Sequence, residues 1–95
     1  MIVSFSDRRT EAFAKGERVA AFSGFERAAE RALDRLEAAA SLRDLMTPGL
    51  RLEKLRGGLA GRFSIRINDQ WRVCFSWPDR SPGPQAVEIV DYHRG

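Results

Sequence analysis

The 95 residues of the chain, 43 % hydrophobic and 31 % charged, predict one soluble domain over residues 1–95, with neither a signal peptide nor an apolar run long enough to span a membrane. One cysteine and one histidine exclude an internal disulfide and a Cys/His zinc site, so we expect no metal and no cofactor. The net charge of +3 lies within residues 51–95, which hold eight basic and five acidic residues; this suits a polyanionic partner, and equally an ordinary arginine-rich surface.

The N-terminal part predicts a short strand and a short helix. Residues 2–5 read IVSF, a β-prone run. Asp7 can then cap a helix that runs from about Asp7 to Lys15, with Phe13 as its apolar anchor. Gly16 is placed to end this helix.

A second, longer helix is predicted from the sequence SGFE, in which Ser23 and Glu26 have the spacing of a capping box. We expect it to end between Ala40 and Leu45, before a Pro-Gly pair. Its apolar stripe comprises Phe25, Ala28, Ala29, Ala32, Leu33, Leu36 and Ala40. Opposite the stripe, an acidic row of Glu26, Glu30 and Asp34 and a basic row of Arg27, Arg31 and Arg35 are expected to pair as a solvated face.

From residue 50 onward the apolar residues alternate, which indicates strands. The predicted strands cover residues 52–56, 62–67, 71–77 and 86–92, with loops at 57–61 and 78–84. We expect the two helices to cover the apolar face of the resulting small, mostly antiparallel sheet, giving a two-layer α+β fold.

The hairpin between residues 62–67 and 71–77 predicts its own register. A three-residue loop over 68–70 pairs Ile67 with Trp71 and keeps both apolar sets on one face. The same register sets Arg66 opposite Arg72, and facing like charges destabilise a sheet. An anion bound between them would explain the pair, and we favour it; nearby carboxylates such as Glu88 or Asp91 are the alternative.

The end of the chain holds the residues best suited to chemistry. Asp91 and His93 are predicted on one face of the last strand and Tyr92 on the other. A histidine can transfer protons near neutral pH, and arginines can stabilise a phosphate that gains charge. This combination suits metal-free RNA cleavage by a ribose 2′-OH. A histidine near a terminus is more often an ordinary surface residue, so these residues alone leave both interpretations open.

The run RFSIRINDQWRVCFSW and the terminal VEIVDYH, together with the opening IVSF and the segment RLEKLRG, resemble the HigB-type toxins of the RelE/ParE superfamily. The resemblance implies a RelE-like fold and a cytoplasmic toxin that cuts mRNA in the decoding site of the ribosome, without a metal. It also implies a HigA-like helix-turn-helix antitoxin. Contact with operator DNA would occur only through the toxin–antitoxin complex, and no membrane would be involved.

The same resemblance assigns site residues. His93 is the expected general acid or base, Asp91 would orient it or the substrate, and Tyr92 would contact or stack on RNA. Lys54 and Arg72 would stabilise the phosphate. To these the basic second half adds expected RNA contacts at Arg66, which the register argument supports, and at Arg56 and Arg62.

Two other functions remain open at this point. A ParE-like toxin, which inhibits DNA gyrase without being an enzyme, would have the same fold. Such a protein would not need the terminal Asp91, Tyr92 and His93. A plain RNA-binding module would bind nucleic acid in a salt-sensitive way and would be harmless when expressed.

Overall fold

The computed structural model describes residues 1–57 and 61–92. Two helices precede a four-stranded antiparallel sheet in which the strands lie in chain order. The helices are α1 (Arg8–Ala14) and α2 (Glu26–Ala38), and the strands are β1 (Glu53–Lys54), β2 (Arg62–Arg66), β3 (Trp71–Ser76) and β4 (Gln85–Asp91). The predicted α+β fold is confirmed. Within the described residues, no helix has the length and apolar character required to cross a membrane.

The core lies between the sheet and the helices, as the alternation in the strands predicts. Ile65, Val73 and Phe75 from the central strands and Ile89 from β4 have no exposed surface. They belong to one apolar cluster together with Leu36 of α2 and other helix residues. Burial of these side chains is the main stabilising contribution to the fold.

Helix α1 is capped at its N-terminus, bonded to β4 through Thr10, and terminated by a glycine. The carboxylate of Asp7 accepts a hydrogen bond from the Thr10 backbone N–H at 2.9 Å, so the predicted cap is confirmed. Thr10 itself is fully buried, and its hydroxyl oxygen accepts a hydrogen bond from the N–H of Ile89 at 2.9 Å. Gly16 follows the helix with φ +97°, a conformation that favours glycine.

The N-terminal segment forms less of a strand than predicted. Only Phe5 makes a bridge, in parallel orientation with Val87 of β4. Ser6 donates its N–H to the Val87 carbonyl at 3.0 Å, whereas the Ser4 hydroxyl accepts the N–H of Ala86 at 3.0 Å. Val87 also donates its N–H to the Ser4 carbonyl at 3.0 Å, which completes this single bridge. Because the pairing does not continue beyond it, residues 2–5 do not form a regular strand.

Helix α2 differs from the prediction at both ends. The capping box is wrong, because Ser23 ends a preceding 3₁₀ turn (Ala20–Phe22) and Phe25 occupies the N-cap position without a side-chain cap. The Phe25 ring stacks on Trp71 with centroids 5.0 Å apart, so packing sets the helix entry. At the other end, the helix stops at Ala38 because Ala39 is buried in an extended conformation.

The predicted pairing of the two charge rows on α2 is also wrong for the described residues, because no ion pair joins them. The strand bounds shift as well. β1 has only two residues, β3 ends one residue early and β4 is displaced by one residue; residues 58–60 of the predicted loop lie outside the described residues.

The predicted hairpin register is confirmed. Phe63 pairs with Phe75, Ile65 with Val73, and Arg66 with Arg72. The side-chain oxygen of Asn68 accepts hydrogen bonds from the N–H groups of Gln70 and Trp71 at 2.9 and 2.8 Å and so closes the turn. The face opposite α1 and α2, which we name the open face, carries the functional candidates, although Ser64, Arg72 and Cys74 on it are buried.

Candidate functional site

Arg72 is the centre of the open face. Its Nε donates to the Ser64 hydroxyl oxygen at 2.8 Å, and its Nη2 donates to the Arg51 carbonyl at 2.6 Å. The Glu53 carboxylate lies 3.8 Å from the same Nη2. The residue is only 8 % exposed, so a charged side chain is held almost entirely inside the protein. Such burial is stable only where the guanidinium has partners, which these contacts provide.

Local backbone geometry makes this arrangement possible. Ser64 is fully buried in β2, directly opposite Cys74 of β3. Arg51 has a positive φ of 49°, in the turn just before β1. The remaining nitrogen of Arg72, Nη1, takes part in none of these hydrogen bonds. Nε and Nη2 are thus both committed to the protein, and together they fix the orientation of the guanidinium.

Tyr92 lies beside this guanidinium. The Cζ atom of Arg72 is 5.4 Å from the centroid of the Tyr92 ring, within the range of a cation–π contact. The backbone N–H of Tyr92 donates to the Gln70 carbonyl, and the Gln70 side chain donates to the Asp91 carboxylate at 3.1 Å. The hairpin tip thus holds the end of β4 in place next to Arg72.

A cleft of about 380 Å³ extends from this pair along the open face. Its lining residues are Leu55, Arg62, Cys74, Glu88, Val90, Asp91 and Tyr92. Arg62 pairs with the Glu88 carboxylate at 3.3 Å and donates to the Ala86 carbonyl at 3.0 Å. This arginine is therefore partly neutralised within the cleft.

Cys74 forms part of the cleft and is not a nucleophile at neutral pH. Burial raises the pKa of its thiol to about 11, and the Glu88 carboxylate adds to the rise, whereas Arg62 and Arg72 oppose it. A thiol with this pKa stays protonated at physiological pH, and the thiolate is the reactive form. The cysteine therefore contributes packing and not covalent chemistry.

The structure brings together only some of the predicted site residues. Tyr92 and Arg62 line the cleft next to Arg72. Asp91 borders the cleft too, although the register pairs it with Trp71 of the helix-facing side. Lys54 and Arg56 are exposed, and the register places Lys54 opposite Phe63, whose partner Phe75 is in the core. Lys54 is therefore on the side of the sheet away from Arg72. His93 lies outside the described residues.

Arg66 and Arg72 are directly opposite each other but have different partners. Arg66 pairs with Asp69, and it borders a second cleft of about 390 Å³ together with Arg31 and Arg35 of α2. The guanidinium of Arg72 contacts Glu53 instead. Glu88, one of the carboxylates considered from the sequence, pairs with Arg62. An anion bound between the two arginines stays a prediction.

Sequence reasoning missed Ser64 and Arg51. Ser64 is a small polar residue on the polar side of β2, between two arginines, and this is the one signal that could have indicated it. No sequence pattern points to the Arg51 carbonyl, because its orientation depends on a positive φ at a non-glycine residue. Among the described residues, no three His, Cys, Asp or Glu side chains cluster as metal ligands would.

Two helices on one face of a four-stranded antiparallel sheet, with basic and aromatic groups on the other, agree with the fold of RelE-like toxins. Residues 4–93 match the family described as "RelE-like toxin of type II toxin-antitoxin system HigB", and the chain belongs to this family. It is also similar to Toxin HigB-1 of Vibrio cholerae serotype O1 (strain ATCC 39315 / El Tor Inaba N16961). The two are 39 % identical over an alignment of 97 residues that covers 99 % of each chain. As a toxin of a type II system, the protein has an antitoxin as its partner.

Proposed function

We propose that this single-domain toxin is a ribosome-dependent mRNA endonuclease that acts in the cytoplasm and is neutralised by a HigA-like helix-turn-helix antitoxin. It would cut translated mRNA in the decoding site and so stop protein synthesis. Operator DNA would be bound only by the toxin–antitoxin complex. Family membership supports the toxin class, and the chemistry of the open face supports RNA as the target.

The proposed reaction needs no metal. A base removes the proton of a ribose 2′-OH, and the resulting oxygen attacks the adjacent phosphorus. The bond from phosphorus to the 5′-oxygen breaks as an acid protonates that oxygen. The products are a 2′,3′-cyclic phosphate and a 5′-hydroxyl. We assign proton transfer to His93, with Asp91 orienting it or the substrate.

The observation that carries the proposal is the Arg72–Tyr92 pair. Arg72 is held by Ser64 and Arg51 through Nε and Nη2, and this fixed charge would stabilise the negative charge of the transition state. Tyr92, 5.4 Å away, would contact or stack on the RNA. Lys54 is proposed to reach the phosphate around the sheet edge formed by the two-residue strand β1. Arg56, Arg62 and Arg66 are proposed as outer RNA contacts.

The proposal is tested by induced expression of the toxin and mapping of transcript ends. We expect growth arrest and cuts inside translated codons, with 5′-hydroxyl ends. His93→Ala and Arg72→Ala should each lower cleavage by about 10²–10⁴-fold, the range for loss of one acid–base or charge-stabilising group. Both variants should still bind the antitoxin, which shows that they fold.

The attacking group can be tested directly. In a reconstituted translation reaction, an mRNA with one 2′-deoxynucleotide at the cleaved position should remain intact, while the all-ribose mRNA is cut. Cleavage of both would contradict the proposed chemistry. Toxicity that survives His93→Ala, with DNA breaks and intact transcripts, would favour the ParE-like inhibition of gyrase instead.

A further inference from the structure

The helical side of the protein contains a groove with features of a protein-binding site. It has a volume of about 440 Å³ and lies between the N-terminal segment, the end of α1 and one flank of α2. Its apolar lining includes Ile2, Phe5, Phe13, Ala14 and Leu33. Of these, Phe13 and Leu33 belong to the buried core, whereas Ile2 and Phe5 are only partly buried. The groove is therefore a surface at which the core reaches solvent.

The rim of this groove is acidic. Glu30, Asp34 and Glu37 border it. Lys15 is the one basic residue among the described residues that line it, and it is paired with Glu11 at 3.5 Å. Neither Glu30 nor Asp34 forms an ion pair with another described residue. In a chain with a net charge of +3, this is a local excess of negative charge. It disfavours nucleic acid and favours a cationic partner.

The apolar lining of the groove is partly accessible to solvent, since Ile2 and Phe5 are only half-buried and Ala14 is exposed. Apolar residues surrounded by a charged rim are typical of a protein interface. A groove of this size accepts the apolar side chains of one short helix or extended segment.

We propose that this groove, the acid-rimmed groove, is where the antitoxin docks, through an amphipathic segment that carries Lys or Arg beside its apolar anchors. The surface lies on the helical side of the sheet, whereas Arg72 and Tyr92 lie on the open side. The antitoxin can therefore bind without entering the cleft next to Arg72. The inference depends on the antitoxin partner named in the proposed function, but not on RNA cleavage.

The charge requirement is tested with one substitution at two neighbouring positions. Glu30→Lys reverses a charge on the rim, and Glu26→Lys makes the same change one turn earlier on α2, where the residue lines a different cleft. The probe is the helix-turn-helix protein encoded by the adjacent gene, identified by its binding to the unmodified toxin. We expect Glu30→Lys to weaken its binding by about tenfold or more, and Glu26→Lys by less than about twofold.

The shape requirement is tested without a change of charge. Ala14→Trp should fill the groove, because Ala14 is exposed on α1 and lines it. Ala38→Trp is the matched control at the exposed end of α2, outside the groove. Thermal unfolding checks that both variants fold. Ala14→Trp toxin should arrest growth even when the antitoxin is co-expressed, whereas Ala38→Trp toxin should be neutralised.

Three outcomes would overturn the inference. The first is normal antitoxin binding by both Glu30→Lys and Ala14→Trp. The second is loss of toxicity in Ala14→Trp with antitoxin binding unchanged, which would assign the groove to the ribosome. The third is that Ala14→Trp keeps its antitoxin affinity but loses a self-association seen in sedimentation of the unmodified toxin. This would assign the acid-rimmed groove to a second copy of the chain. If the unmodified toxin arrests no growth, the proposed function fails while the binding measurements still decide this inference.

Discussion

The two faces of the sheet are formed by the same strands but are stabilised in different ways. On the helix-facing side, Ile65, Val73 and Phe75 have no exposed surface and contribute through apolar burial, which has no preferred direction. On the open side, Arg72 is held by hydrogen bonds to Ser64 and to the Arg51 carbonyl, which depend on distance and angle. Substitutions on the first face should therefore change mainly stability, and those on the second should change mainly the orientation of one functional group.

The largest effect is expected on the helix-facing side. Phe75→Ala should lower the free energy of unfolding by about 3–5 kcal/mol, because it removes a fully buried ring that stacks on Phe63. Urea unfolding measures this, with His93→Ala present in every variant to allow expression. Phe75→Leu is the matched control and should cost clearly less, since it keeps much of the buried volume. Equal losses for the two variants would contradict the packing explanation.

This face could be predicted from the sequence because burial requires only alternation. Phe63, Ile65 and Ile67 alternate with polar residues, and so do Trp71, Val73 and Phe75. Only a three-residue turn puts both sets on one side, so the register followed as well. The cap at Asp7 was predictable for a similar reason, because it depends on residues three apart.

The open face could be predicted only in part. Its residues Arg66, Arg72 and Tyr92 follow from the same alternation, but their partners do not. Arg72 reaches a carbonyl 21 positions away that a left-handed residue turns toward it. The start of α2 was wrong for a related reason: the stacking of Phe25 on Trp71, a contact between distant residues, replaced the local serine cap.

A pH titration provides the next largest effect. Because burial raises the pKa of the Cys74 thiol to about 11, the folded state retains a proton that the unfolded chain releases near pH 9. This contribution to stability is complete below pH 9 and is lost as the pH rises from 9 to 11, at a total of about 3 kcal/mol. Cys74→Ala should show a smaller loss over the same range in urea unfolding. Parallel curves for the two proteins would contradict the assignment to Cys74.

A smaller stability effect is expected at Ser64, with a larger effect on function. Ser64→Ala removes the acceptor of the Arg72 Nε–H bond and should cost about 1–2 kcal/mol of stability. Growth arrest should be weakened, because the guanidinium keeps its bond to the Arg51 carbonyl but loses the one that orients Nε. Ser76→Ala is the matched control on the same face of the sheet, in the neighbouring strand β3. The Ser76 hydroxyl makes only a long contact of 3.4 Å with the Gln85 carbonyl. Full toxicity of Ser64→Ala at normal expression would show that Arg72 needs no such support.

The smallest stability effect is expected at the hairpin tip. Asp69→Asn removes the carboxylate that pairs with Arg66, but Asp69 is 99 % exposed, and an ion pair in such a position contributes little to stability. The urea midpoint should therefore not move measurably. Release of Arg66 should instead strengthen binding to ribosomes at low salt and steepen its salt dependence, whereas Arg66→Gln should do the opposite. Sedimentation with His93→Ala toxin at two salt concentrations measures both. If Asp69→Asn changed stability and left ribosome binding unaltered, the role of Arg66 would be structural, as on the helix-facing side of the sheet. Arg66 would then not be an RNA contact.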